Sequence, residues 1–480
     1  MATNHLPNTA FISPYSENHK EIAVLFDQVK EIILAHYANT TERELIPSFQ
    51  DELLDLFTFP GEGTSNDQLI DDLKKIFSYS ANHISPKYIG HMDNAPTTAS
   101  ILGTTSLAAL NNNMLGLEMS PVFTRMEHHI LKEFADLFKL GDNAGGLMAS
   151  GGSLTNLHAM TIARNYKLNL PDGDLTRLNA KPILFTSELA HNSIVKNANV
   201  LGLGAANVEK IAINEQGEMS VEQLEERIRY HFEKGHRPFL VVATLGTTIA
   251  GSIDPIKDIA KLCQRYDLWL HADAVYGGAA ILSEKYAHLL DGIERADSVT
   301  FNAQKWMSVA KTSSMLFLKE YKKYINFFRM EMPYYSNDSQ HYNSLGEISI
   351  QGSRSTDILK LWLSLRHLGR TNYARLIDKT FELAFYLEKM IDERDYLIKF
   401  ADAKTNSVLF RIRNGYIKDS VKTLQQYILK KGYYFSIQTI KGEQWLKYLA
   451  LNPYTDEEIL NKAINCIDEF YEAQRVHRAS

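Results

Sequence analysis

The apolar positions of the chain change their period along its length. Residues 21–37 and 69–77 carry apolar side chains at helical spacing, beginning with Ile22, Val24, Leu25, Val29, Ile32 and Ile33. Loop-like segments rich in Gly, Pro, Ser and Asn lie at 60–67 and 80–96. Residues 1–80 are therefore predicted to form a polar, helical N-terminal arm, and an arm of this kind usually packs on something else.

The middle of the chain alternates short apolar runs with helical patterns. The runs are PILFTS (182–187), PFLVVATLG (238–246), LWLHAD (268–273), SVTFNAQ (298–304) and SMLFLK (314–319). This alternation predicts an α/β domain over residues 81–370, with a mostly parallel sheet and helices on both faces. Ligands of such sheets bind beyond the carboxyl ends of the strands, so the chemistry is expected at the polar residues that end these runs.

The last part of the chain has a mixed pattern. A long helical stretch leads into apparent strands at 407–413 and 445–451, with helical patterns at 420–430 and 455–473. We predict that residues 371–480 form a small C-terminal α+β domain.

Composition and charge narrow the possible functions. The 480 residues are 45% apolar and 22% charged, and the formal net charge is −6, without a basic tail for nucleic acid or anionic membranes. No apolar run approaches the roughly 18 residues of a membrane span, and the N-terminal segment lacks the pattern of a signal peptide. The two cysteines, Cys263 and Cys466, lie far apart, which suits a reducing compartment. We expect a cytoplasmic protein with a small-molecule ligand and with neither a nucleic-acid partner nor a membrane anchor.

Common site templates are missing from the sequence. It contains no G-x-G-x-x-G, no Walker A motif, no G-x-S-x-G and no H-E-x-x-H. We therefore expect neither a dinucleotide site nor a metal site.

A glycine-rich turn is the first positive signal. The segment ASGGSLTN (149–156) directly precedes an apolar-periodic helix, and its glycines allow a ligand to approach the backbone closely. Ser153 can cap the helix, whose free amides and dipole would attract an anion. Taken alone the signal is weak, because a glycine-serine turn before a helix is more often only a cap.

A lysine and an aspartate are the next candidate site residues. Lys305 follows a predicted strand in the apolar setting FNAQKWM, where a buried lysine would lose its charge and react with carbonyls. Asp273 ends another strand within HADAVYGGAA, where little else explains a carboxylate. A fixed anion, a nucleophilic lysine and a phosphate cradle are the three contacts that pyridoxal 5′-phosphate needs.

These motifs resemble those of the group II pyridoxal-phosphate decarboxylases, which include glutamate, cysteine-sulfinate, aromatic-amino-acid and diaminobutyrate decarboxylases. The likeness runs in order from about residue 80 to 370, through YIGHM, NNNMLGLEMSPVFTRME, ASGGSLTNLHAM, SELAHNSIVKNA, ATLGTTIAGSIDPI, HADAVYGG, ADSVTFNAQKW and GSRSTDILKLW. It implies a fold-type-I homodimer, with active sites at the dimer interface and an N-terminal arm that crosses to the partner subunit.

The resemblance also implies roles for individual residues. Lys305 would bind the cofactor covalently, Asp273 would pair with the pyridinium nitrogen, and His191 in LAHNS would stack on the ring. The phosphate would be bound by Gly152, Ser153 and Asn302, with Thr248 beside the ring and Ala274 and Val275 behind it.

Catalysis in this family implies decarboxylation of an L-amino acid, with a loop tyrosine that protonates the α-carbon. Tyr342, in the segment 333–351, best resembles that tyrosine, and Tyr334 and Tyr335 are alternatives. Candidate substrate-binding residues are Tyr88, His91, Asn113 and Lys447. Polar side chains near the expected pocket, at His91, Asn94 and Asn111 to Asn113, favour a polar or acidic substrate.

Two positions depart from the family pattern. Gln304 stands where the family usually has a histidine, and it cannot titrate near neutral pH. Lys447 stands where the family usually has the arginine that meets the substrate carboxylate, and a lysine lacks the bidentate fork. Two other functions therefore stay open: oxidative conversion of the amino acid to an aldehyde on the same scaffold, and a cofactor-binding paralogue without turnover.

Overall fold

The computed structural model of the protein describes residues 6–51, 53–331, 344–413, 415 and 420–479. The N-terminal part contains the helices α1 (His19–Ala38), α2 (Leu53–Leu56) and α3 (Asn66–Tyr79). The hydroxyl of Ser65 accepts a hydrogen bond from the Gln68 amide and so caps α3. Ile32 of α1 and Ile70 of α3 are buried, and much of the remaining apolar surface of the arm is exposed.

A seven-stranded sheet forms the centre of the molecule. Its strands are β1 (Gly145–Ala149), β2 (Pro182–Ser187), β3 (Val208–Ile211), β4 (Arg237–Thr244), β5 (Trp269–Asp273), β6 (Ser298–Asn302) and β7 (Ser314–Leu318). They lie in the order β1-β7-β6-β5-β4-β2-β3, and β7 runs antiparallel to both of its neighbours while β3, β2, β4, β5 and β6 run parallel. The predicted mostly parallel sheet is confirmed.

Helices surround this sheet. They are α4 (Thr98–Leu110), α5 (Pro121–Leu137), α6 (Gly152–Lys167), α7 (Ser193–Val200), α8 (Val221–Glu233), α9 (Ile256–Arg265), α10 (Tyr321–Tyr324) and α11 (Ile358–Asp392), which is interrupted at Gly369. Short 3-10 helices lie at Leu175–Arg177, Ala205–Asn207, Gly277–Leu282, Ala287–Leu290, Ile293–Arg295, Ile325–Phe327 and Leu345–Ile348. The strands are buried almost throughout, which explains why they are near-continuous apolar runs in the sequence.

The register of the sheet brings three polar strand ends to one edge. Thr244 of β4 pairs with Asp273 of β5, which in turn pairs with Thr300 of β6. Asn302 ends β6, and Lys305 follows it directly. This edge is therefore where the parallel strands present their functional side chains.

A second, smaller sheet follows in the chain. Its strands β8 (Leu397–Lys399), β9 (Ser407–Ile412), β10 (Ser436–Ile440) and β11 (Glu443–Leu449) lie in the antiparallel order β10-β11-β9-β8. The helices α12 (Val421–Lys430) and α13 (Glu457–Ala479) belong to the same part of the chain. Throughout the described ranges, every helix is too short or too polar to span a bilayer.

Candidate active site

A cavity of about 460 Å³ opens at the carboxyl ends of β4, β5 and β6, against the N-terminus of α6. The structure brings together there all the residues that were predicted to bind a cofactor: Gly152, Ser153, His191, Thr248, Asp273, Asn302 and Lys305. Gln304 and Val275 also line the cavity, whereas Ala274 is fully buried behind it. The cavity therefore unites segments that are far apart in the chain.

The N-terminus of α6 forms one wall of the cavity. The helix begins at Gly152, and a Cβ on this residue would lie 2.8 Å from Cγ2 of Val275 and 3.3 Å from Nδ2 of Asn302. Ser153 lies in the first turn and not at the cap, which is Gly151, so the predicted capping by Ser153 is wrong. A glycine at 152 allows the backbone to pack this closely, and the free amides of the first turn favour an anion.

Asp273 provides a fixed negative charge in the cavity. Its side chain is almost fully buried. One carboxylate oxygen accepts a hydrogen bond from Nδ2 of Asn156 at 3.0 Å, and the other accepts one from the Val275 amide at 3.2 Å. Hydrogen bonds of this kind stabilise the ionised carboxylate.

Lys305 approaches the same cavity from the end of β6. Burial lowers the pKa of its amine, and the negative charges of Asp273 and Asp93 partly oppose this change. Its Nζ atom donates to the sulfur of Met92 at 3.6 Å. The amine is therefore more easily deprotonated than that of a solvated lysine, as a nucleophile requires.

His191 presents a neutral ring to the cavity. Its Nδ1 atom accepts a hydrogen bond from the Ser193 amide at 3.2 Å and lies 2.9 Å from the Ser193 hydroxyl. Because Nδ1 accepts, the proton of the neutral ring lies on Nε2. Burial lowers the pKa of His191, and Asp273 partly opposes this change.

Lys447 reaches the cavity region from β11 of the small sheet. The side chain is buried, with 1% of the residue exposed, and Nζ donates to the carbonyl oxygen of Thr248 at 2.5 Å. Burial and the positive charge of Lys305 lower its pKa to about 7. A lysine of the small sheet thus holds the turn that follows β4.

The other predicted substrate residues have different surroundings. The rings of Tyr88 and His91 stack on Tyr434, with centroid distances of 4.6 Å and 5.6 Å. Burial and the charge of Lys447 lower the pKa of His91, which places this imidazole within electrostatic reach of the lysine.

Asn113 is not among the described residues that line the cavity. Its amide nitrogen donates to the hydroxyl of Ser353 at 3.0 Å, and its oxygen accepts from the backbone amides of Leu115 and Arg354. The side chain therefore supports a loop within this chain. Tyr342 and its alternatives, Tyr334 and Tyr335, lie outside the described residues.

Two residues of the site were missed by sequence reasoning. Asn156, which bonds Asp273, is one helical turn beyond Gly152, and the i, i+4 spacing places both on the cavity face of α6. His271 bonds Asn156 and precedes Asp273 by two positions on β5, hence on the same face of the sheet. Both spacings could have been recognised in the sequence.

Comparisons with known proteins agree with this geometry. The family model of the pyridoxal-dependent decarboxylase conserved domain matches residues 47–413. The mouse cysteine sulfinic acid decarboxylase is 35% identical over 356 residues, which are 73% of this chain and 71% of the relative. A crystal structure of mouse CSAD covers 95% of this chain and 99% of its own, with a TM-score of 0.86 and 28% identity. The crystal structure of Oryza sativa TDC with PLP and tryptamine has the same fold, with a TM-score of 0.90, 21% identity and coverage of 96% of this chain and 99% of its own.

Proposed function

The chain belongs to the pyridoxal-dependent decarboxylase family, and we propose that its substrate is an L-amino acid with an acidic side chain. The enzyme uses pyridoxal 5′-phosphate to remove carbon dioxide from an amino acid. The observation that carries the substrate proposal is the buried ammonium group of Lys447 beside the cavity. The mouse relative adds support, because cysteine sulfinic acid has an acidic side chain.

The residues of the cavity fit the cofactor. Gly152 lets the backbone of α6 lie close to Val275 and Asn302, where a Cβ would not fit, and the neighbouring amides of α6, with Ser153 and Asn302, are donors suited to a phosphate group. Asp273 would pair with the protonated ring nitrogen, and Lys305 would hold the cofactor covalently. When bound, the cofactor supplies an electron sink for the bond that breaks at the substrate α-carbon.

The remaining cavity residues would position the ring. His191 is neutral and hydrogen-bonded at Nδ1, so its flat face can pack against an aromatic ring. Thr248 would lie beside the ring, and the branched side chain of Val275 would pack behind it. These contacts would exclude water and restrict the orientation of the substrate.

The substrate proposal follows from the charges around Lys447. An ammonium group in a buried setting is unfavourable without an anion, and the structure gives this one a backbone carbonyl and a second cation, Lys305, nearby. His91 lies within electrostatic reach of the same lysine. Every amino acid brings an α-carboxylate, and only an acidic side chain brings a second anion. We assign this second anion to Lys447, whose charged form it would stabilise.

A substrate panel tests the proposal. The holoenzyme should release carbon dioxide and amine from aspartate, glutamate or cysteine sulfinate with a kcat/KM about 100-fold above that for asparagine, glutamine or tryptophan. Lys447→Arg should keep this preference, because the positive charge remains, and Lys447→Met should lose most of it. Equal turnover of acids and amides by the wild type would disprove an acidic substrate.

A second part of the proposal concerns the proton that replaces the carboxylate. Tyr342 is our candidate for protonating the α-carbon, by its resemblance to the loop tyrosine of the family. In air, Tyr342→Phe should lower amine formation and, with dioxygen as the oxidant, release aldehyde, ammonia and hydrogen peroxide, whereas Tyr334→Phe and Tyr335→Phe should leave the product unchanged. Amine as the sole product of Tyr342→Phe would assign the proton to another group.

The catalytic lysine has a direct test. Lys305→Ala should abolish decarboxylation and the visible colour of the bound cofactor, because the covalent link is lost. Lys311→Ala removes a nearby lysine that pairs with Asp93 and should keep the colour. A coloured, active Lys305→Ala protein would overturn the assignment.

We further propose that the enzyme is a homodimer with active sites at the interface. Supporting this, large apolar side chains are exposed on the arm and on α4 and α5, among them Val24, Leu34, Phe59, Leu102 and Val122. Leu102→Glu should shift the sedimentation coefficient to that of a monomer, whereas Val200→Glu, at an exposed position on α7, should not. A monomeric wild-type holoenzyme would refute the proposal.

A cytoplasmic location is also proposed. Cys263 and Cys466 are both buried and free, as expected for a protein that stays in a reducing compartment. Cell fractionation with the enzyme's activity as the marker would test this, and activity confined to a secreted fraction would contradict it.

A further inference from the structure

A row of buried polar side chains leads away from Asp273 into the core. Asn156 donates from Nδ2 to the Asp273 carboxylate at 3.0 Å, and its Oδ1 atom lies 3.1 Å from Nε2 of His271. On the other side of the imidazole, Nδ1 lies 2.8 Å from the hydroxyl of Ser298, which accepts from the indole N–H of Trp269 at 2.8 Å. Apart from Asp273 itself, each of these residues is at most 1% exposed.

The direction of every hydrogen bond in this row follows from its ends. An ionised carboxylate only accepts, so the amide nitrogen of Asn156 must face Asp273 and its oxygen must face His271. Nε2 of His271 therefore carries the proton. Burial lowers the pKa of His271 to about 4, so the ring is neutral and its Nδ1 accepts from the Ser298 hydroxyl.

The row of polar side chains fixes the orientation of the Asp273 carboxylate. Its second oxygen is held by the Val275 amide, so the Asn156 bond completes the fixation of the carboxylate plane. Nδ2 of Asn156 also donates to the Ser193 hydroxyl at 3.3 Å, whereas among the described residues Oδ1 has only the N–H of His271. Without that N–H, the buried Oδ1 would lose its donor, and the side chain of Asn156 could shift away from its position against Asp273. The orientation of Asp273 thus depends on a residue that does not touch it.

We propose that His271 is a positioning residue that locks the Asn156 amide and thereby aims Asp273 at the cofactor. The inference rests on the proposed role of Asp273 as the partner of the ring nitrogen. It assigns His271 no contact with substrate or cofactor. Its effect is transmitted through Asn156.

The test measures the affinity of the cofactor-free enzyme for pyridoxal 5′-phosphate, by absorbance titration of variants whose fold has been checked by circular dichroism. His271→Leu should weaken binding about tenfold, and Asn156→Ala should do the same. His271→Gln places an amide N–H where Nε2 lies, so it should restore affinity to within about threefold of the wild type. A residue that only fills space would not be rescued in this way.

A double-mutant cycle separates positioning from general destabilisation. In the Asn156→Ala background, His271→Leu should have no further effect on affinity, because the residue through which it acts is gone. Losses that add in the double variant, or a folded His271→Leu protein with wild-type affinity, would overturn the proposal. If His271→Leu does not fold, Ser298→Ala replaces it in the same cycle with the same expectation.

Two controls complete the design. His231→Leu removes another buried histidine, whose ring bonds Glu209 and His236 at the opposite end of β4, and should keep the affinity. Asp273→Asn tests the premise: if it binds the cofactor like the wild type, the proposed role of Asp273 fails and the role of His271 with it. If Asp273→Asn weakens binding and His271→Leu does not, only the positioning role fails.

Discussion

The Nζ atom of Lys305 lies 3.6 Å from the sulfur of Met92, so the lysine of the cavity donates to one of the weakest acceptors in proteins. A thioether stabilises an ammonium group poorly. Burial therefore remains the dominant influence on the pKa of Lys305, and burial lowers this pKa. Met92, from a loop far away in the sequence, thus helps to keep the amine reactive.

A carboxylate in place of this thioether should slow capture of the cofactor. Met92→Glu is similar in length, and its negative charge would raise the pKa of Lys305, which leaves less neutral amine at neutral pH. We expect the rate of colour formation after mixing apoenzyme with pyridoxal 5′-phosphate to fall about tenfold near pH 7 and to recover at higher pH. Met92→Leu is the control without charge, and identical pH profiles for the two variants would contradict the prediction.

The close packing at the start of α6 predicts a steric effect. In Gly152→Ala, the new Cβ would lie 2.8 Å from Val275 and 3.3 Å from the Asn302 amide, so the wall of the cavity must move. We expect the dissociation constant of the cofactor to rise at least about tenfold, with a modest loss of stability of about 1–3 kcal/mol. Equilibrium titration and thermal unfolding measure the two effects separately.

A second glycine serves as the comparison. A Cβ at Gly63 would meet no atom within 4 Å, so Gly63→Ala should change neither quantity. Unchanged cofactor affinity in Gly152→Ala would show that the N-terminus of α6 does not bind the phosphate group.

The sequence located the strand ends that meet at the cavity, but not the side chains that pack behind them. That Asp273 and Lys305 lie near each other could be predicted because strand ends of a parallel sheet meet at one edge, and the alternating pattern located those ends. The bond between His271 and Asn156 joins a strand to a helix, and only the packed structure defines such a pair. Polarity alone suggested Asn113 for the substrate, although its polar atoms serve its own loop.

Some strands also could not be predicted from the local sequence pattern. The sequence did not predict β1, β3, β8 or β10. β8 has three residues, and β3 and β10 have the partly exposed sequences VEKI and SIQTI, so none of these three has the apolar run that predicted β2, β4 to β7, β9 and β11. Pairing with β9 and β11 stabilises β8 and β10 as strands. Their existence depends on neighbours and not on local pattern.

A negative charge substituted at Gln304 should weaken binding of the cofactor. Its Oε1 atom accepts from the Ser313 amide at 2.6 Å, and the residue lines the same cavity as Ser153. Gln304→Glu keeps that acceptor but brings a negative charge near the proposed phosphate site, so cofactor affinity should fall about tenfold or more. Gln304→His adds no negative charge and should stay within about threefold of the wild type. Equal affinities for the Glu and Gln forms, measured by titration, would place the phosphate away from this residue.

The buried amine of Lys447 should make the stability of the folded protein depend on pH. In the cofactor-free protein its pKa falls from 10.5 to about 7, through burial and the charge of Lys305. Between these values the unfolded chain binds more protons, so the free energy of unfolding should rise with pH across this window, and the full penalty of the buried ammonium group is present below about pH 7. Lys447→Met should therefore raise the melting temperature near pH 6, by the equivalent of roughly 1–4 kcal/mol, and the gain should shrink as pH approaches 10.

Lys360→Met is the contrast: that buried lysine pairs with Asp357 at 2.7 Å, so its loss leaves a carboxylate uncompensated and should lower the melting temperature. A Lys447→Met protein that melts below the wild type at pH 6, or whose gain does not change with pH, would show that the ammonium group is not under strain.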